Sequence, residues 1–155
     1  MLEELISKLF GRVAVIGIGA SGHGDDGVGP ALVDLLAHAG VRNVVDAGVT
    51  PEHETWKVRE IDPDTVLFVD AVDLGAKPGD AALLRAAELR GGGFDTHRTP
   101  LRLTMQYLEG ELNCTCYLLA VQPGSARDGA AMSDDVRSSV EILARMLANR
   151  LQARN

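Results

Sequence analysis

The segment Val13-Ala14-Val15-Ile16-Gly17-Ile18 carries no polar side chain and gives way at once to a glycine-rich stretch. A strand with one face in water alternates apolar and polar residues, whereas an unbroken apolar run belongs to a strand covered on both faces. Thr65 to Val69 and Cys114 to Val121 repeat the pattern. Sheets built from such strands are mainly parallel, because the crossovers between parallel strands lay helices over both sides. This one feature restricts the chain to an α/β layering.

The intervening segments supply the helices. Leu2, Leu5, Ile6 and Leu9 recur at helical spacing and predict a short amphipathic helix. Pro30 stands near the start of a helix running to about His38, and Gly40 stops it. Val44 and Val45 form a short strand ending at Asp46, and Thr50-Pro51 reads as the cap and first turn of a helix through Arg59. Ala82 to Ala87 fits a further strand, though its alanines suit a helix as well. Gly91-Gly92-Gly93 leads by a loop to Thr96-His97, and Leu101, Met105 and Leu108 predict a helix from Pro100 to about Leu108. After the loop Gln122-Pro123-Gly124, Ser133 caps a final helix with the stripe Val136, Val140, Leu143, Leu147 and Leu151. The expected architecture is a single domain over 1–155, three-layer α/β, with a mainly parallel twisted five-stranded sheet flanked by helices (phosphorylase/hydrolase-like).

Composition excludes several partners. The formal charge of −7 and the 4% of aromatic residues argue against nucleic acid, which needs clustered cations and stacking platforms. No apolar run approaches the roughly 20 residues that span a bilayer, and Met1 to Phe10, with Glu3 and Glu4, is no secretory signal. Cys114 and Cys116, one residue apart in a strand-like run, would share a face, and a disulfide between them would be strained. Reduced thiols in a cytoplasmic protein are the simplest reading.

Ligands of doubly wound sheets bind beyond the carboxyl ends of the strands, and the polar residues of this chain fall there. Asp25, Asp26, Asp70 and Asp73 would repel one another unless cations or hydrogen bonds compensate. Either member of the Asp25-Asp26 pair could cap the following helix, but not both. Asp70, flanked by apolar residues, is an awkward place for an idle charge. Gly17-Ile18-Gly19-Ala20-Ser21-Gly22 matches the dinucleotide glycine pattern, with Asp46 at a suitable distance for a ribose. The helix pattern starts only near Val28, however, and two aspartates at its entrance would repel a pyrophosphate. Of the histidines, His38 at a helix end and His53 in a first turn read as structural or surface residues. His23 lies within reach of Asp26, as an alternative ligand or a support for one. His97 follows the triglycine loop and is placed to turn into the cleft.

Gly24-Asp25-Asp26-Gly27-Val28-Gly29-Pro30, Asp46-Ala47-Gly48, Val69-Asp70-Ala71-Val72-Asp73, Thr96-His97 and Gln122-Pro123 follow one another in chain order. In this register they closely resemble the maturation endopeptidases of nickel-iron hydrogenases, above all those that process the large subunit of hydrogenase 3. The likeness runs from about Val13 to the final helix. It implies a cytoplasmic protease that removes a short C-terminal extension from the large-subunit precursor after nickel insertion. It implies Asp26, Asp70 and His97 as metal ligands, and Asp26 and Asp70 are also the candidate catalytic carboxylates, either able to act as general base on water. His23, Asp25 and Asp73 are then the groups expected to support those ligands.

Two carboxylates and one imidazole suit a borderline divalent ion but hold it weakly. The expected cofactor is therefore nickel carried in by the substrate, over a weak divalent site on the enzyme, with no organic cofactor. Hydrolysis would be metal-assisted or of the aspartic type. Two features depart from the family pattern: Ala20 stands where asparagine is usual, and His23 adds a potential ligand. A non-catalytic nickel chaperone or docking protein remains an alternative, with a dinucleotide-binding module the more distant one.

Overall fold

A computed structural model describes residues 2–89, 98–125 and 129–152, with the backbone alone at 98 and 99. Helix α1 (Leu2–Lys8) precedes β1 (Val13–Gly17), which is buried at every position. A 3₁₀ turn (Gly24–Gly27) leads into α2 (Val28–His38), followed by β2 (Val44–Asp46). A second 3₁₀ turn (Pro51–Glu54) enters α3 (Thr55–Ile61), and β3 (Thr65–Ala71) follows, again buried throughout. Strand β4 (Ala81–Leu84), α4 (Arg98–Leu112), β5 (Thr115–Val121) and α5 (Asp134–Gln152) complete the order.

The sheet is five-stranded with order β2-β1-β3-β5-β4. The pairs β1–β2, β1–β3 and β3–β5 are parallel, and β4 runs antiparallel at the edge. The ambiguous alanine segment resolves into both forms, since β4 ends at Leu84 and a 3₁₀ turn occupies Ala86–Leu89. Val13, Val15, Leu67, Val69, Leu119 and Val121 point to one face, packed by α1, α2 and α5. Ala14, Ile16, Val66, Phe68 and Leu118 point to the other, where they meet residues of α3 and α4. The predicted stripe of α5 is entirely buried, from Val136 to Leu151.

Two local expectations are corrected. Thr50 makes no capping bond, because Pro51–Glu54 winds as a tighter 3₁₀ turn and α3 starts only at Thr55. Neither Asp25 nor Asp26 caps α2: the cap position is Gly27, with no side-chain bond. Asp25 is occupied elsewhere, as described below.

The first turn of α2 presses against the strands at Gly29. A Cβ there would overlap the backbone nitrogen and oxygen of Ile18 and come within 2.6 Å of the Val69 carbonyl oxygen. Rigid backbone surrounds this point, so relief would require lifting the helix. Gly29→Ala is therefore expected to lower stability by about 1–3 kcal/mol, read as a shifted urea midpoint at unchanged slope.

Candidate functional site

From β1 the chain crosses to β2 on one side, and from β2 it passes back over β1 to β3 on the other. Strand order therefore reverses between β1 and β3, and the crevice beyond their carboxyl ends is where such sheets bind ligands. The loops there are tied together by backbone bonds. Ile18 N donates to Val69 O at 2.8 Å, Gly19 N to Gly48 O at 2.8 Å, and Val72 N to Val121 O at 3.0 Å. Asp26 stands on the turn after β1, and Asp70 lies at the end of β3. The reversal point thus brings two of the three expected ligands to one edge. His97 lies outside the described residues.

Asp26 is held by its backbone, its carbonyl accepting Ala20 N at 3.1 Å and its amide donating to His23 O at 3.1 Å. The side chain is half-buried and spends no hydrogen bond or ion pair among the described residues. A carboxylate so placed is available for a ligand. A cleft of about 450 Å³ opens beside it, lined in part by Ser21, Gly22, Gly24, Asp34 and Asp46.

Asp70 does not simply follow its strand. It lies within β3, paired in register with Ala120 of β5, and is only 2% exposed. Strand alternation places it on the face of Val66 and Phe68, the side covered by α4. Helix α4 begins at Arg98, the residue after His97. Among the described residues no three His, Cys, Asp or Glu side chains form a group able to hold a metal ion.

The other aspartates are committed to the fold. Asp25 is fully buried, and its Oδ2 accepts Gly124 N at 2.7 Å, Ser125 N at 2.7 Å and Ser133 Oγ at 2.6 Å. Its Oδ1 accepts Ser133 N at 2.7 Å. Burial pushes this carboxyl up, but the Ser133 hydroxyl and the three amides outweigh it and hold Asp25 below its ordinary value. Asp73 is exposed and accepts Gly75 N at 3.0 Å and Gln122 Nε2 at 3.2 Å. These two donors lower its carboxyl as well. Asp46 accepts Gly48 N at 3.1 Å, folding its own loop back.

Gln122 and Ser133 carry more than the sequence reading gave them. Gln122 is 7% exposed, and its Oε1 accepts Leu74 N at 2.6 Å and Ala76 N at 3.2 Å, so it moors the loop after β3 to the end of β5. A polar amide directly after an apolar strand was the available signal. Ser133 stands just before α5 as expected, but its hydroxyl donates to Asp25.

His38 Nδ1 lies 2.8 Å from Asp34 O, closing the end of α2, and His53 is exposed. Cys114 and Cys116 are both buried on the α4 face, their sulfurs 4.0 Å apart, at the opposite end of β5 from the crevice. The hydrogen bond to Cys114, and then burial, push the Cys116 thiol far up, away from nucleophilic use. Helix α2 starts at Val28, beyond Asp25 and Asp26, so no helix N-terminus meets Gly22 as a pyrophosphate site requires.

Comparison with known proteins identifies the family and the fold. The family model for hydrogenase maturation proteases matches residues 31–150. The hydrogenase 3 maturation protease of Escherichia coli K12 is 30% identical over 129 residues, covering 81% of this chain and 82% of that protein. The crystal structure of the NiFe hydrogenase maturation protease HycI from Thermococcus kodakarensis KOD1 superposes with a TM-score of 0.88 at 28% identity, covering 98% of this chain and 99% of that one. The solution structure of the endopeptidase HycI from Escherichia coli gives 0.78 at 27% identity, with 89% and 90% covered.

Proposed function

This chain belongs to the hydrogenase maturation protease family, and on that footing we propose that it removes a short C-terminal extension from the precursor of a nickel-iron hydrogenase large subunit once nickel is in place. One observation supports this most: the turn that carries Asp26 and the end of β3 that carries Asp70 flank the point where strand order reverses, and the Asp26 side chain makes no hydrogen bond or ion pair among the described residues. Two carboxylates, one on the turn after β1 and one near the end of β3, would make with the His97 imidazole an oxygen and nitrogen donor set with open positions.

A set with so few protein ligands holds free metal weakly, so nickel arrives as cargo of the substrate, held by the substrate's own ligands. Asp26, Asp70 and His97 then complete its coordination. The contact exists only when the precursor is loaded, which makes specificity a contact that the empty precursor lacks. With the metal-bearing end fixed, the extension lies across the crevice, and Asp26 or Asp70 takes the proton of the attacking water. The buried thiols of Cys114 and Cys116 take no part. No described helix is long and apolar enough to cross a membrane, and the expectation of a cytoplasmic enzyme stands on the resemblance.

The test is incubation of the purified protein with nickel-loaded and nickel-free precursor, followed by mass measurement. Loaded precursor is expected to lose its extension and empty precursor to keep it. Equal cleavage of both would remove nickel sensing, and binding without any change of mass would make this a docking protein.

A further inference from the structure

Helix α4 carries apolar side chains on its outer side as well as on the side that packs the sheet. Leu101, Met105 and Leu108 of α4 face the sheet and are buried, yet Leu103 and Tyr107, four residues apart on the same helix, are 54% and 43% exposed. Trp56 of α3 is 55% exposed as well. Single exposed apolar residues are ordinary, whereas a cluster lining a depression marks an interaction surface. Here the depression is a groove of about 470 Å³ lined by Glu52, Thr55, Pro100, Leu103, Thr104 and Tyr107. Arg59 stacks on Tyr107 at 5.2 Å, so one wall carries the Tyr and Arg types enriched in protein interfaces.

Both walls begin at the same end of the sheet as the crevice. The Glu52 wall leaves the carboxyl end of β2, and the α4 wall starts at Arg98, beside His97. On the rim, Glu54 is paired with Lys57 at 3.0 Å, but Glu52 is exposed and makes no ion pair or hydrogen bond among the described residues. An unpaired carboxylate over an apolar floor matches a partner segment that offers aliphatic side chains and one cation, and the overall charge of −7 favours the same sign of partner.

We propose that this groove seats the stretch of the precursor that flanks the bond to be cut, with its apolar side chains against Leu103 and Tyr107 and a basic side chain against Glu52. This rests on the protease reading above and adds the determinant that aligns the peptide with Asp26 and Asp70.

The test measures binding apart from cleavage, using nickel-loaded full-length precursor titrated against the intact protein. The double variant Leu103→Ser/Tyr107→Ser is expected to weaken binding by at least about tenfold, since apolar and aromatic anchors dominate such contacts. Glu52→Lys is expected to weaken it several-fold and flatten its salt dependence. Leu35→Ser, exposed to 40% on the opposite layer, serves as the control and should bind as the parent does. Should the double variant unfold, the charge reversal at Glu52 carries the test alone. Affinities within about twofold of the parent for both would overturn the groove, as would a parent protein that does not bind precursor. If the parent binds through the groove but leaves the precursor mass unchanged, the proteolytic reading fails and the groove stands.

Discussion

Asp70→Asn is expected to leave the protein folded and to slow precursor cleavage by about 10²–10⁴-fold, the range lost when a positioned acid–base group is removed. The substitution keeps size and shape at a position that is 2% exposed and held in register opposite Ala120. What changes is charge. An amide cannot take a proton from water, and it is a poor ligand for a divalent ion beside a second carboxylate. Asp26→Asn should impair cleavage similarly while shifting stability by less than about 0.5 kcal/mol, because the Asp26 side chain contributes no hydrogen bond to the fold among the described residues. Rates on nickel-loaded precursor, set beside thermal unfolding of each variant, check both statements. Full activity in a folded Asp70→Asn protein would remove that residue from the chemistry.

Asp26 and Asp70 lie where buried strands give way to polar residues, and that is why the sequence singled them out as candidates. Strand burial is written locally: Val13 to Gly17 and Thr65 to Ala71 are apolar almost throughout, so any reader of periodicity places a polar residue at their ends on the crevice. The α5 stripe is equally local, because each of its residues meets the same sheet face. The antiparallel β4 was less legible, since Ala81–Leu84 lacks the β-branched side chains that separate strand from helix. Choosing between Asp25 and Asp26 was not local at all. It depends on donors 99 to 108 residues away that the chain brings to Asp25 only after the sheet has formed. The resemblance of motifs chose Asp26, and the structure shows only that the oxygens of its neighbour Asp25 are already spent. The Thr50 reading failed for a related reason, because a 3₁₀ turn gives the threonine hydroxyl no helical amide in position to donate to it.

Asp25→Ala is expected to be the most destabilising single change at this edge, at about 3–5 kcal/mol. The carboxylate is fully buried and gathers the amides of Gly124, Ser125 and Ser133 with the Ser133 hydroxyl. Its removal leaves these donors unpaired in the interior, and the loop after β5 keeps only backbone bonds such as Asp25 N to Ser125 O to the turn that carries Asp26. Asp25→Asn is milder, at about 2 kcal/mol. Its oxygen can replace Oδ2 and keep three donors, but its amide then faces the Ser133 N–H, donor against donor. The two variants also separate in pH. Asp25 is held below its ordinary value of 3.8, so near that pH the unfolded chain binds the proton more readily than the folded one. The stabilisation is therefore complete above the ordinary value and is lost as pH falls through the lower folded value. Parent protein should show a falling unfolding temperature across that acid window, and both Asp25 variants a shallower fall from a lower plateau. Differential scanning calorimetry from neutral pH downward measures both at once, and parallel curves for parent and Asp25→Asn would show that the buried carboxylate contributes nothing as a charge.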